Sequence, residues 1–205
     1  MIRRLLVATL NPGKVREFAA ELIPAGIEVY GLDSIEHPPR IEESGATFEA
    51  NARLKAEGYS SHTELAVLAD DSGLEVDALD GAPGVLSARY GGEGLDDAAR
   101  NRKLLEALQG VAAEQRGARF RCALAVARAG ETLVTFEGVI EGRILDELRG
   151  HNGFGYDPLF FHPESGCTTA ELTLGAKQRV SHRGQAIAAF LAALKRGDPR
   201  LAPLG

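Results

Sequence analysis

Residues 118 to 144, ARFRCALAVARAGETLVTFEGVIEGRI, decide the fold. Phe120, Cys122, Leu124 and Val126 recur at a spacing of two, the period of a strand with one face in a core. The pattern breaks near Ala129-Gly130 and a second extended run follows, so the stretch predicts an antiparallel hairpin. Strands and helices are interleaved on both sides of it. A hairpin inside that rhythm predicts a mixed α/β protein with a partly antiparallel sheet and excludes a plain doubly wound domain.

Toward the N-terminus, RRLLVAT (3–9) reads as an apolar strand, and KVREFAAEL as a helix whose Val15, Phe18, Ala19 and Leu22 share a face. GIEVYGL predicts a second strand. TFEANARLKAEGYS predicts a helix capped by Thr47 with Glu49 in its first turn. ELAVLA (64–69) predicts a central strand ending just before two acids, and DDAARNRKLLEAL (96–108) a helix that stops before Gly110. Toward the C-terminus, Thr168-Thr169-Ala170-Glu171 matches a capping box and predicts the start of a short helix. A last helix from His182 to Lys195 presents Ile187, Phe190, Leu191 and Leu194 to a core and ends at Gly197. No repeat or linker divides the chain, so residues 1–205 are expected to form one domain.

Composition narrows the function classes. A net charge of -6 argues against a nucleic-acid groove built on bulk positive potential, though not against a small anion met by local cations. The short apolar run of MIRRLLVATLNPGK is neither a signal peptide nor a membrane span. The two cysteines, Cys122 and Cys167, have no CxxC neighbour, which fits a reducing cytoplasm and argues against zinc.

Five segments could carry chemistry. In ATLNPGK (8–14) Asn11 is a good N-cap, Pro12 suits the first helical position, and Lys14 falls in the first turn. A strand feeding such a helix start offers free N–H groups and a positive dipole end to a phosphate; an ordinary strand-to-helix turn reads the same way. It is not a Walker loop, because Val15 follows the lysine. In EESGATFEANARLKA (42–56), Glu42 and Glu43 precede a helix on which Asn51 and Lys55 share a face, or the stretch is a solvated acidic loop. In VLADDSGLEV, Asp70 and Asp71 end an apolar strand. Unpaired charges there would cost several kcal/mol, so the acids are solvated, hydrogen-bonded or holding a cation, and hard oxygens suit Mg²⁺ or Mn²⁺. In NGFGYDPLFF (152–161) the glycines around Phe154 let a flat ring approach a base, although a glycine-rich turn with core aromatics fits as well. In KQRVSHRGQA, Lys177, His182 and Arg183 suit an anion or form a basic surface turn.

Taken in order, TLNPGK, EESGATFEANARLKA, ADDSGLEVDALDGAPGVLSARYGG, GFGYDPLFF, AELT and SHRGQA resemble the inosine/xanthosine triphosphate pyrophosphatases, the Ham1-like enzymes for non-canonical purine nucleotides, over nearly the whole chain. The resemblance implies an elongated two-lobed mixed α/β fold with a twisted mixed sheet and the active site in the cleft between lobes. It implies a cytoplasmic homodimer that hydrolyses ITP, dITP and XTP to the monophosphate and pyrophosphate, without nucleic-acid or membrane partners. Thr9, Leu10, Asn11, Pro12, Gly13 and Lys14 would hold the triphosphate. Glu42 and Asp71 would hold Mg²⁺, with Mn²⁺ as a substitute, and Asp71 would also be the general base. Lys55, Ser72, Phe154, Gly155, Tyr156, Asp157, Lys177, His182 and Arg183 would complete the substrate site. A pyrophosphohydrolase for other modified nucleotides, or a non-catalytic nucleotide-binding module, is the competing reading.

Overall fold

Three runs of apolar residues near the N-terminal side set up a parallel half-sheet. The computed structural model describes residues 3–204. In it β1 (Arg3–Val7) lies between β2 (Ile27–Tyr30) and β3 (Ala66–Val76), parallel to both, with Leu5 opposite Val29 on one side and Ala66 on the other. Leu5, Leu6 and Val7 are all buried, so β1 is covered on both faces, as parallel strands flanked by helical connections are, and its apolar residues run without alternation. The connections are helical: α1 (Pro12–Leu22) joins β1 to β2, and α2 (Phe48–Ser60) precedes β3. Thr47 caps α2, its hydroxyl accepting from the Ala50 N–H at 3.1 Å.

The hairpin forms as expected. β4 (Gly117–Arg128) and β5 (Glu131–Ile144) are joined by Ala129-Gly130, both with positive φ (51° and 84°), the turn whose twist matches paired strands. Short strands β6 (Phe160–His162) and β7 (Cys167–Thr168) continue antiparallel from β5. The seven strands make one mixed sheet in the order β2-β1-β3-β4-β5-β6-β7.

The residues group into two compact units. One takes the chain up to Asp71, with Cys122–Gly138 and the segment from Arg183 onward; its core includes Leu5, Phe18, Leu68, Leu124, Ile187 and Phe190. The other takes Ser72–Arg121 and Val139–His182; its core includes Leu74, Leu104, Phe120, Tyr156 and Phe160. α5 (His182–Lys195) runs over the predicted span, with Ile187 and Phe190 fully buried.

Three local expectations need correction. β3 does not stop before the acids but continues through Asp70, Asp71 and Ser72 to Val76. The Thr168–Glu171 box closes only half-way: Glu171 accepts from the Thr168 N–H at 2.7 Å, but Thr168 ends β7, and α4 (Leu174–Val180) begins later under a Thr173 cap. Val15 faces outward, 43% exposed, and the buried polar residue of α1 is Glu17.

Candidate active site

Because β3 is extended through its acids, successive side chains leave opposite faces, and neighbours in sequence acquire different surroundings. Asp70 is fully buried. Its Oδ2 accepts from Lys14 Nζ at 2.9 Å and from Arg183 Nε and Nη2 at 3.2 and 3.1 Å. Burial opposes its charge, but Lys14 and Arg183 hold the carboxyl well below the usual carboxylate range. Arg183, 1% exposed, is also bonded to the buried Glu17 of α1. This network answers half of the question the adjacent acids pose: Asp70 is a neutralised structural anion that orients two cations.

Asp71 meets a different set. Its Oδ1 accepts from Lys55 Nζ at 3.1 Å and its Oδ2 from Asn51 Nδ2 at 3.2 Å, both on α2. Asn51 is itself oriented by accepting the Gly45 N–H at 2.7 Å. Lys55 also donates to Glu43 Oε2 at 2.7 Å, so one ammonium bridges two carboxylates. Burial pushes the Asp71 carboxyl up to about 6, outweighing the pull of Lys55 and Lys14. Glu43 is drawn below its ordinary value by Lys55, against its own burial. Two neighbouring acids whose surroundings drive them apart separate a permanent anion from a proton acceptor that works near neutral pH. The structure thus brings Glu43 to Lys55, while Glu42, the expected partner of Asp71, stands exposed one residue away.

At the start of α1, the expectation of free N–H groups is revised. Asn11 Oδ1 accepts from the Gly13 and Lys14 N–H groups at 2.8 and 3.2 Å, and Thr9 Oγ1 accepts the Asn11 N–H at 3.2 Å. An anion here would meet the helix dipole and the Lys14 side chain rather than bare amides. Leu10 is 84% exposed beside them.

The second unit holds the glycine-aromatic turn. Asp157, 2% exposed, is its centre: Oδ2 accepts from the Phe154 N–H at 2.9 Å and from Lys177 Nζ at 2.5 Å, and Oδ1 from the Thr169 hydroxyl at 2.8 Å. Lys177 lies on α4 with its ammonium 4.8 Å from the centre of the Phe154 ring. Gly153 has φ 75°, and a Cβ there would run into the Asp157 carboxylate, so only glycine fits. Tyr156 is buried and donates its hydroxyl to the Ser87 carbonyl at 2.9 Å; burial pushes the phenol above its ordinary value. His182 stacks on Phe120 with ring centres 4.8 Å apart. Ser72, next after Asp71 on β3, is half-buried. Of the turn's predicted substrate residues, Phe154 and Gly155 are half-buried, whereas Tyr156 and Asp157 spend their side chains on the fold.

Sequence reasoning passed over Asn51 as a ligand of Asp71 and Glu17 as a partner of Arg183. A buried glutamate in the middle of a helix leaves no local signal, whereas Asn51, four residues before Lys55, shares a helix face with it that the spacing alone reveals.

The seven-strand mixed sheet, with two adjacent acids of β3 in different charged surroundings, defines a mixed α/β protein. A dITP/XTP pyrophosphatase of Bacillus licheniformis is 52% identical over 186 residues, 91% of this chain and 95% of that one. One of Geobacter sulfurreducens is 54% identical over 185 residues, covering 90% and 93%. The solved structure of a HAM1 protein from Coxiella burnetii superposes with a TM-score of 0.86 at 39% identity, over 95% of this chain and all of that one. The Ham1 family model matches residues 5–193, and the chain belongs to the Ham1 family.

Proposed function

We propose that this protein hydrolyses inosine, deoxyinosine and xanthosine triphosphates to the nucleoside monophosphate and pyrophosphate, as the names of its relatives indicate for them. The observation that carries the reading is the split pair on β3: Asp70 is tied to Lys14 and Arg183, while Asp71 turns to Lys55 and Asn51. Asp71 accepts the proton of the attacking water, whose oxygen bonds to the α-phosphorus as the bond to the β-phosphate oxygen breaks. Lys14, with the positive end of α1, meets the charge on the departing pyrophosphate. Thr9 to Gly13 shape that anion site. Phe154 and the backbone of residues 154–157 take the nucleoside, with Lys177, His182 and Ser72 completing the substrate contacts. Arg183 acts on this site while anchored by Glu17 and Asp70.

The donor set also fits a divalent cation. Among the described residues no three His, Cys, Asp or Glu side chains gather into a metal cage. Lys55 bridges Asp71 and Glu43, so a carboxylate of β3 and one of the 42–43 loop already lie within reach of one positive charge, and a site of one or two carboxylates completed by phosphate oxygens and water is the habit of Mg²⁺. Asp71 and Glu42 would hold it, with Mn²⁺ as a substitute, while Glu43 stays with Lys55. When bound, it supplies neutralisation of phosphate charge and acidification of the attacking water. A homodimer in a reducing cytoplasm completes the reading.

The deciding experiment incubates the protein with ITP, dITP, XTP, ATP and GTP and Mg²⁺, identifies the phosphate product, and compares kcat/KM. Pyrophosphate release with ITP and XTP well ahead of ATP is expected; orthophosphate, or equal use of ATP, overturns the assignment. Glu42→Gln and Glu43→Gln titrated with Mg²⁺ test the metal reading: the first should raise the Mg²⁺ requirement more than the second. Light scattering reads the dimer.

A further inference from the structure

The turn that carries Phe154 is gripped by a helix to which no role has been given. α3 (Asp97–Ala107) begins under an Asp96 cap, and its first residue, Asp97, accepts the Gly155 N–H on Oδ2 at 2.6 Å. One helical turn later Asn101, 3% exposed, donates its Nδ2 to the Gly155 carbonyl at 2.9 Å. Residues four apart share a helix face, so both backbone groups of one glycine are taken by one face of α3.

We propose that Asp97 and Asn101 are positioning residues for nucleoside recognition, fixing the backbone of the 153–157 turn so that Phe154 is held for the base; this rests on the reading of that turn given above. Three observations carry it. Gly155 sits at φ 62° with open space where a Cβ would stand, so packing does not hold it and its hydrogen bonds must. Asp97 is itself aimed: its Oδ1 is bound by Arg100 Nη2 at 2.6 Å, and Arg100 Nη1 donates to the Ala88 carbonyl at 2.8 Å. Asn101 keeps Oδ1 buried without a hydrogen-bond partner among the described residues, a cost a protein carries where the other half of the amide matters. Consecutive residues are thereby held by different elements: Gly155 by α3, Tyr156 by the Ser87 carbonyl, Asp157 by Lys177 and Thr169.

The test uses the full-length protein and Asp97→Ala, Asp97→Asn, Asn101→Ala and Phe154→Ala, with thermal unfolding alongside kinetics on ITP and ATP. Misplacing a binding group by a fraction of an ångström costs binding more than chemistry. Asp97→Ala and Asn101→Ala should therefore raise KM for ITP by about 10- to 100-fold, leave kcat little changed, and lower the preference for ITP over ATP. The near-isosteric Asp97→Asn, which can still accept the Gly155 N–H, should recover part of the loss and reads the site if Asp97→Ala folds poorly. A purely structural role would shrink the active fraction, lowering kcat on both nucleotides alike with KM and preference unmoved. That result, beside a Phe154→Ala variant that does lose ITP binding, refutes the positioning role alone. If Phe154→Ala also binds ITP normally, the turn is not the nucleoside site and the proposal falls with it.

Discussion

Replacing each acid of β3 by its amide should separate stability from turnover. Asp70→Asn removes the charge that Lys14 and Arg183 share inside the protein, leaving Arg183 with Glu17 and taking away the carboxylate of Lys14. Breaking a buried ion pair from one side costs about 3–5 kcal/mol. For a chain of this size each kcal/mol lowers Tm by about 2–4 °C, so a fall of roughly 6–20 °C is expected. Asp71→Asn removes a charge that burial already resists, so stability should hold or rise. Turnover should nevertheless fall by at least about 10²–10⁴, the share of a general base. The assay is thermal unfolding of both variants in EDTA, followed by initial rates on ITP with saturating Mg²⁺. Equal destabilisation by the two substitutions would refute the opposite-face argument. Near-normal rates from Asp71→Asn would remove it as the base.

Other consequences are as direct. Burial pushes the Cys122 thiol up to about 12, while Cys167 is partly exposed; a thiol reagent at pH 7.5 should label one cysteine in the native protein and both in denaturant, and two fast labels would contradict the packing. Arg200 holds the Asp198 carboxyl down at about 2, so its contribution is in place above pH 3.8 and is lost as pH falls through 2. Asp198→Asn should flatten that part of the acid-stability curve, and an unchanged curve would show that the pair does not matter. Ala129 turns the hairpin at φ 51°, a conformation asparagine tolerates better; Ala129→Asn should raise Tm, by up to about 4 °C for a gain of about 1 kcal/mol, and a fall would count against the turn assignment.

The hairpin was legible because its two signals are local, a period of two and a turn dipeptide. The continuation of β3 was not, since Asp, Ser and Gly are poor strand formers and the cations that make them acceptable come from elsewhere, Arg183 lying 113 residues on. For the same reason the sequence left Arg183 open between an anion site and a basic surface turn, and gave no sign that it is almost wholly enclosed against Asp70 and Glu17. The family blocks pointed to residues but left their roles unsorted: Tyr156 and Asp157 lie within a matching block and turn their side chains into the fold. Asp97 and Asn101 were invisible because their partner is the backbone of a glycine 58 and 54 residues away, which leaves no pattern of side chains to read. Thr168 and Glu171 formed the expected bond without a helix, because a cap needs an apolar run behind it and Thr173 stands closer to one.

The alternation along β3 makes the chemistry a matter of parity. Asp70 reaches Lys14 and Arg183, and Asp71 reaches Lys55 and Asn51, because one is even and the other odd in the count from the start of the strand. Deleting one residue between Ala66 and Asp70 would keep both carboxylates and send each to the other's partners. The permanent anion would face α2 and the proton acceptor would be pinned by arginine. This segment can therefore drift in composition over evolutionary time far more readily than in length.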